Sequence, residues 1–444
     1  MFKKVLIANR GEIALRAIRA CKELGVRTVA IYSEADRDSL HVRLADEAVC
    51  IGPSEPARSY LDIPRIMSAV EVSGADAVYP GYGFLAENPK FAEIVSKSGV
   101  KFIGPQPETL ELIGDKIKTK EIAGRVGIPL VPGSNGSTDL EKAIETAGKI
   151  GYPIVLKASA GGGGRGIRIV FNEKELREKF PVAVQEAELS FGDGRVYVEK
   201  FIINPKHIEF QVLADAHGNV SVLGERECSI QRRHQKLIEE APSLSVDDKK
   251  RKEIEEAVAE FCREIGYEGA GTVEFLMDED GNFYFMEMNG RVQVEHPVTE
   301  MVTGIDIVKW QIRIASGERL RTGKVRKNGF AIEFRINAED PDNFFPSPGK
   351  IEELVLPGGM GVRVDTHIYP GYTIPPYYDS LIAKLIVWGG TRDEAIQRGL
   401  RALDEFLISG EGLKTNIEFH RRVLRTKEFK EGKHHIGFVE EMMV

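Results

Sequence analysis

Over residues 1–113, short apolar runs alternate with amphipathic ones, and this alternation restricts the fold more than any other feature of the chain. KKVLIA is followed by the turn Asn9-Arg10-Gly11-Glu12 and by IALRAIRACKELG; TVAIYS, ADAVYP and KFIGP come after it. Strands separated by helical stretches pair in parallel, because only a long crossover returns the chain in the same direction. The segment therefore reads as a mostly parallel, doubly wound sheet. Its first turn lacks the GxGxxG of a dinucleotide site, so the layout alone names no cofactor.

The turn-rich stretch IPLVPGSNGSTD, 128–139, marks a boundary. A β-rich segment follows at about 131–203, strands and helices resume over 204–328, and the rest ends in the helical TRDEAIQRGLRALDEFL and a polar tail. The expected fold is α/β (α+β): a Rossmann-like sheet domain at 1–113, a central domain at 114–328 with a lid at about 131–203, and a C-terminal α+β domain at 329–444. Net charge is −8, which argues against a nucleic-acid or anionic-membrane binder. No apolar run approaches the ~18–20 residues of a membrane span, and Val5–Ala8 is too short an apolar run for a signal peptide. Cys21, Cys50, Cys228 and Cys262 lie far apart without a CxxC pair, as expected of reduced thiols in a cytoplasmic protein.

Residues 158–170, ASAGGGGRGIRIV, set five glycines around Arg165. The dinucleotide fingerprint needs a helix to open at its glycines. Here the flanks, YPIVLKAS and IRIVF, are β-branched and strand-like. Strand–glycines–strand is a hairpin flap whose bare amides can close over a polyphosphate, a device protein kinases also use. Lys157, on the entering strand, can reach phosphate oxygens as a point charge.

A stronger signal is GTVEFLMDEDGNFYFMEMNGRVQVEHPVTE, 271–300. Asp280-Gly281 is a favoured two-residue hairpin turn, and a turn there sets Glu274 opposite Glu287. Like charges facing each other destabilise a sheet unless something neutralises them. A hard divalent cation shared with nucleotide phosphates does so. Asn289, two residues on, offers a third oxygen on the same face. Alternation then continues as a polar ladder through Arg291, Gln293 and Glu295. Between these motifs, Arg232, Arg233, His234 and Lys236 form a dense cation group that reads as an anion site within an acidic protein.

KASAGGGGRGI, ERECSIQRRHQKLIEEAPS, MEMNGRVQVEHPVTEM, EFRINAEDP and PPYYDSLIAKL resemble the signature segments of the biotin carboxylases, which are ATP-grasp enzymes. The resemblance runs from NRGEIA to about residue 440, nearly the whole chain. It implies ATP-dependent carboxylation of biotin by bicarbonate through carboxyphosphate, with Mg²⁺ or Mn²⁺. Carried over by position, it implies that Lys116 and Lys157 touch ATP phosphates and that Gly163 and Gly164 close over them. Glu199, Lys200 and Ile202 would hold the adenine, and His207, Gln231 and His234 would line the nucleotide pocket. Glu274, Glu287 and Asn289 would bind the metal. Lys236, Arg291, Gln293 and the Val294 backbone would hold bicarbonate, Glu295 would be its general base, and Arg335 would stabilise the biotin enolate.

One position departs from the family: Gly290 stands where threonine is usual. Another ATP-grasp ligase, of the carbamoyl-phosphate or purine-pathway type, should lack the Arg291–Glu295 ladder and FRINAED; an inactive ATP-binding subunit has no need of intact Glu274, Glu287, Glu295, Arg291 and Arg335. No lysine is flanked by methionines in the AMKM manner of biotin attachment sites, and no carrier or carboxyltransferase segment follows the part that carries the resemblance. The expectation is one component of a multi-subunit enzyme, itself unbiotinylated and homodimeric, that works with a carboxyltransferase subunit. Its substrate would be biotin tethered to a separate biotin carboxyl carrier protein and delivered beside Arg335 and the YYDS segment, 377–380. The final acceptor stays open among acetyl-CoA, propionyl-CoA, pyruvate and 2-oxoglutarate.

Overall fold

A computed structural model describes residues 1–134, 136–159 and 166–443. At the N-terminus five strands pair in parallel, in the spatial order Glu47–Gly52, Arg27–Ser33, Lys4–Ile7, Ala77–Tyr79 and Lys101–Phe102. Both faces are covered, as a parallel sheet requires. Val5 and Ile7 pack with Ile13, Ala14, Ala17 and Ile18 of the helix Gly11–Glu23. Leu6 and Val78 pack on the other face with Ile66, Val70, Phe91 and Val95, from the helices Ile63–Ser73 and Pro89–Lys97. The four strand-like runs and the helical run of the sequence each correspond to one of these elements, while the edge strand Glu47–Gly52 and the two helices on the second face were not read from it.

The glycine-rich segment is flanked as its sequence implies. Ile154–Ala158 pairs antiparallel with Ile167–Val170 on one side and with Val196–Lys200 on the other. The helices Leu140–Ile150 and Glu173–Phe191 complete a small core with this sheet, built from Ala143, Ala147, Leu156, Phe180 and Val198. The expectations for Gly163 and Gly164 lie outside the described residues.

An eight-stranded antiparallel sheet carries the rest. Its order is Phe283–Asn289, Gly269–Met277, Lys206–Ala214, Val220–Arg232, Gln235–Ala241, Phe330–Asn337, Leu381–Gly389 and Val362–Thr366. Gln235–Ala241 pairs with Phe330–Asn337 through Ile238↔Phe334 to Ala241↔Ala331. Strands from either side of residues 328–329 are thus hydrogen-bonded in one sheet.

Two local expectations need correction. The turn of the 269–289 hairpin is not a two-residue loop at Asp280-Gly281. Asp278 N–H donates to Asn282 and Gly281 N–H donates to Asp278, closing a three-residue loop that ends on Gly281 at φ 79°. Such a loop needs a left-handed residue at that point, and glycine adopts it without Cβ strain. The shorter register, Phe275↔Phe285, is restored by a bulge at Met286, so Glu274 still faces Glu287. The second correction concerns the polar ladder, which is not one strand. The edge strand stops at Asn289, because Gly290 N–H donates to the Glu87 carboxylate at 2.8 Å instead of to a neighbouring strand. The chain then turns into the helix His296–Thr303, for which Glu295 is the N-cap.

Candidate active site

The central strands place four charged residues in register across the sheet. Glu287 faces Glu274, Glu274 faces Glu209, and Glu209 faces Arg226. Three carboxylates in a row would repel strongly at cross-strand spacing, so cations must stand among them. Arg226, fully buried, donates to Glu209 at 2.5 Å. Lys236 Nζ lies 2.6 Å from Glu209, 3.2 Å from Glu274 and 2.7 Å from Glu295. Lys116 pairs with Glu287 at 2.8 Å.

Glu274 is the most heavily bonded of these acids. It accepts from Asn289 at 2.9 Å, Gln293 at 2.8 Å and Lys236, and it lies 3.0 Å from His207 Nε2. Burial alone would raise its pKa; the Lys236 ammonium and His207 outweigh that and hold it below the ordinary carboxylate range. Glu295 is fully buried between Lys236 and Arg335, whose guanidinium donates to it at 2.9 Å and to Glu239 at 2.5 Å. Against the cost of burial, Lys236, Arg335 and Arg226 keep Glu295 well below its usual value, and Glu209, Glu274 and Glu295 raise Lys236 well above its own.

Several of these groups border one cavity of about 1290 Å³, with Glu209, Arg226, Glu239 and Glu295 buried behind them. Lys116 and Lys157 line it, as do Glu199, Lys200 and Ile202, then His207, Gln231 and His234, and Lys236, Glu274, Glu287 and Asn289. Arg291, Gln293, Val294 and Arg335 complete that wall, with Glu295 buried behind Lys236 and Arg335. Of the expected adenine residues, Glu199 binds the ammonium groups of Lys120 and Lys157, and Lys200 Nζ donates to the carbonyls of Gly151 and Tyr152. The expected cation group divides. Arg233 and His234 form a two-residue hairpin turn, both at positive φ, which sends His234 and Lys236 to the cavity while Arg232 stacks on Phe344.

The sequence reading passed over several groups that hold the site. Glu87 receives Arg291 Nε at 2.7 Å; Lys384, fully buried, donates to the Val294 carbonyl at 2.9 Å and pairs with Glu12 at 3.1 Å. Arg291 also donates to Gln293 and to Asn289 Oδ1, so the ladder persists as a chain of hydrogen bonds. Tyr82, Ile436 and Gly437 also line the cavity without having been singled out, together with Tyr377 and Tyr378 of the expected 377–380 segment.

The family models for the biotin carboxylase N-terminal domain and C-terminal domain match residues 1–110 and 333–441; between them, the model for the carbamoyl-phosphate synthase L chain ATP binding domain matches 115–323. A biotin carboxylase from Pseudomonas aeruginosa is 54% identical, over 100% of this chain and 99% of its own. The chain belongs to the biotin carboxylase family. The 2-oxoglutarate carboxylase small subunit of Hydrogenobacter thermophilus is 55% identical, over 99% of this chain and 94% of its own. The crystal structure of the biotin carboxylase domain dimer of that 2-oxoglutarate carboxylase, with MgADP, ADP and bicarbonate, superposes with a TM-score of 0.94. It is 55% identical and covers 99% of this chain and 98% of that one.

Within this family Gly290 has a local explanation. A Cβ there would approach Ile113 Cδ1 at 2.6 Å and Leu110 Cδ2 at 2.9 Å, pointing away from the hydrogen-bonded ladder. The helix Pro107–Gly114 occupies the space that a threonine side chain would need. Gly290→Thr is expected to cost about 1–3 kcal/mol by overpacking, and a smaller residue at 113 should recover part of it. Thermal melts of Gly290→Thr with and without Ile113→Val check this; no recovery in the double variant counts against the explanation.

Proposed function

We infer that the chain catalyses ATP-dependent carboxylation of biotin by bicarbonate, the first half-reaction of a biotin-dependent carboxylase. The observation that carries this is the convergence of Lys236 and Arg335 on the buried Glu295 at the wall of the cavity. Lys116 and Lys157, which line the cavity, would offset charge on the transferring phosphoryl group. Glu199, Lys200 and Ile202 would border the adenine, with His207, Gln231 and His234 along the nucleotide.

Glu274 and Glu287 face each other from adjacent strands and both line the cavity. Two carboxylates and the Asn289 amide form an all-oxygen, hard donor set of the kind Mg²⁺ and Mn²⁺ take. When bound, that cation supplies charge neutralisation on the nucleotide phosphates. Binding would require Lys116 and Lys236 to share the carboxylates they now hold, so both lysines turn toward substrate.

Bicarbonate would sit against Lys236, Arg291, Gln293 and the Val294 amide. Glu295 is a weak base while Lys236 and Arg335 both donate to it. Once Lys236 shares its protons with bicarbonate, Glu295 becomes more basic and can take the bicarbonate proton during attack on the γ-phosphate. Exclusion of water by the part of the chain that carries the paired strands Ile154–Ala158 and Ile167–Val170 would protect carboxyphosphate. The carrier-bound biotin would enter beside Arg335 and the 377–380 segment, from a separate biotin carboxyl carrier protein working with a carboxyltransferase subunit. The dimer of the 2-oxoglutarate carboxylase domain supports a homodimer here as well.

ATP cleavage that depends on both bicarbonate and free biotin tests this reading; ATP hydrolysis indifferent to both counts against it. Glu274→Gln or Glu287→Gln is expected to raise the Mg²⁺ concentration for half-maximal rate about tenfold or more, since each removes one anionic ligand. Unchanged metal dependence in both variants removes the metal assignment.

A further inference from the structure

We propose that Glu333 is a positioning residue for Arg335: it stays a neutral acid and donates a hydrogen bond to Glu239, so that the pair carries one charge and holds the guanidinium in place. This deepens the proposed function, because it rests on Arg335 serving the biotin step.

The register sets Glu239 and Glu333 directly opposite each other on adjacent strands, both with no exposed surface. Among the described residues neither oxygen of Glu333 has a hydrogen-bond partner, nor does Oε2 of Glu239. Oε1 of Glu239 accepts from Arg335. On its other side Glu333 faces Ile386, which clusters with Ala241 and Ala331 of the same sheet and with Val298 and Val302 of the helix His296–Thr303. An ionised, unpaired carboxylate in such apolar surroundings is expensive, whereas a neutral one needs a single acceptor.

The charges around the pair lead to the same conclusion. On its own sheet it is met by Arg335, Lys236, Lys384 and Cys228, and from the 291–303 segment by Glu295. Glu12, Glu209, Glu239, Glu274, Glu295 and Glu333 share four cations, Arg226, Lys236, Arg335 and Lys384. Arg226 binds Glu209, Lys236 bridges Glu209, Glu274 and Glu295, Arg335 bridges Glu295 and Glu239, and Lys384 binds Glu12. Among the described residues Glu333 is left without one. Two facing buried carboxyls with no cation between them lose their protons one at a time, the second only at a raised pH. Burial pushes Glu239 up to about 7 against the pull of Arg335, and raises Glu333 well above the ordinary range.

Three roles separate by substitution. A neutral donor is preserved in Glu333→Gln and lost in Glu333→Leu. The Gln variant should keep kcat/KM for free biotin, with ATP and bicarbonate, within about threefold of wild type, and Leu should lower it about tenfold or more while bicarbonate-dependent ATP cleavage changes less. Equal failure of Gln and Leu would mean an anion is required, and equal success would mean mere packing; either overturns the proposal. Stability against pH gives a readout independent of turnover. The folded pair retains a proton that the unfolded chain releases near a glutamate's ordinary ~4.3. Wild-type stability therefore falls as pH rises from ~5 until the pair ionises, and Glu333→Gln lacks that fall. The melting temperature of Glu333→Gln minus that of wild type should grow steadily between pH ~5 and ~8. A difference that is flat or shrinks over that range overturns the shared proton even if the wild type shows no biotin-dependent turnover, the separate outcome that would sink the functional reading.

Discussion

Replacing Glu295 by glutamine is expected to stop bicarbonate-dependent ATP cleavage while leaving ATP binding almost unchanged. The carboxylate has no exposed surface and lies behind Lys236 and Arg335, at 2.7 and 2.9 Å, so it meets bicarbonate only once Lys236 has turned toward the substrate. Glutamine preserves its size and one acceptor oxygen but cannot take a proton. A positioned base contributes ~10²–10⁴-fold in the transition state, so the loss should appear in kcat, with KM for ATP changing by less than about threefold. Because burial is outweighed by Lys236, Arg335 and Arg226, Glu295 is ionised throughout the neutral range, and the wild-type rate should show no acidic limb from this group there. The measurement is initial-rate ATP cleavage with and without bicarbonate, beside nucleotide binding by calorimetry. Retention of more than about a tenth of the bicarbonate-dependent rate would remove Glu295 as the base.

How much of this site was legible in the sequence depends on the separation of the interacting residues. Strand and helix runs at the N-terminus carry their own periodicities, and the structure follows them. The facing of Glu274 and Glu287 was also legible, although for an incomplete reason. The three-residue loop shifts the register by one, and the bulge at Met286 shifts it back. A bulge has no composition of its own, so alternation could not reveal it. The end of the strand at Asn289 was hidden for a similar reason: it is set by Glu87, some 200 positions earlier in the chain, which takes the Gly290 amide and the Arg291 guanidinium. Lys384, Glu12 and Lys120 were missed likewise, since nothing in their own segments marks them as partners of Val294 or Glu199. Alternation in FAIEFRIN does put Glu333 and Arg335 on one face. That Glu239 would stand opposite Glu333 needed the register of two strands about 90 residues apart.

The largest stability effect should come from Arg226→Met. Arg226 is the largest side chain with no exposure, and it ties its own strand to three other elements through Glu209 at 2.5 Å, Gln211 at 2.7 Å, Thr272 at 3.2 Å and Thr299 at 3.0 Å. Methionine fills much of the same volume and satisfies none of those acceptors. Glu209 would keep only Lys236, and removing one partner of a buried ion pair costs about 3–5 kcal/mol. In a chain of several packed units that corresponds to a fall on the order of 10 °C in the first melting transition. Arg226→Lys keeps a cation beside Glu209 but not the fork that reaches both threonines, so its melt should fall between the two. The same substitution has a catalytic consequence. With Glu209 less well neutralised, Lys236 is drawn toward it and away from Glu295, so bicarbonate-dependent cleavage at a permissive temperature should fall further than nucleotide affinity does. A Met variant that melts within ~1 °C of wild type would mean the guanidinium is not the hub of this sheet. A large melting shift with a normal bicarbonate step would instead detach Arg226 from the placement of Lys236.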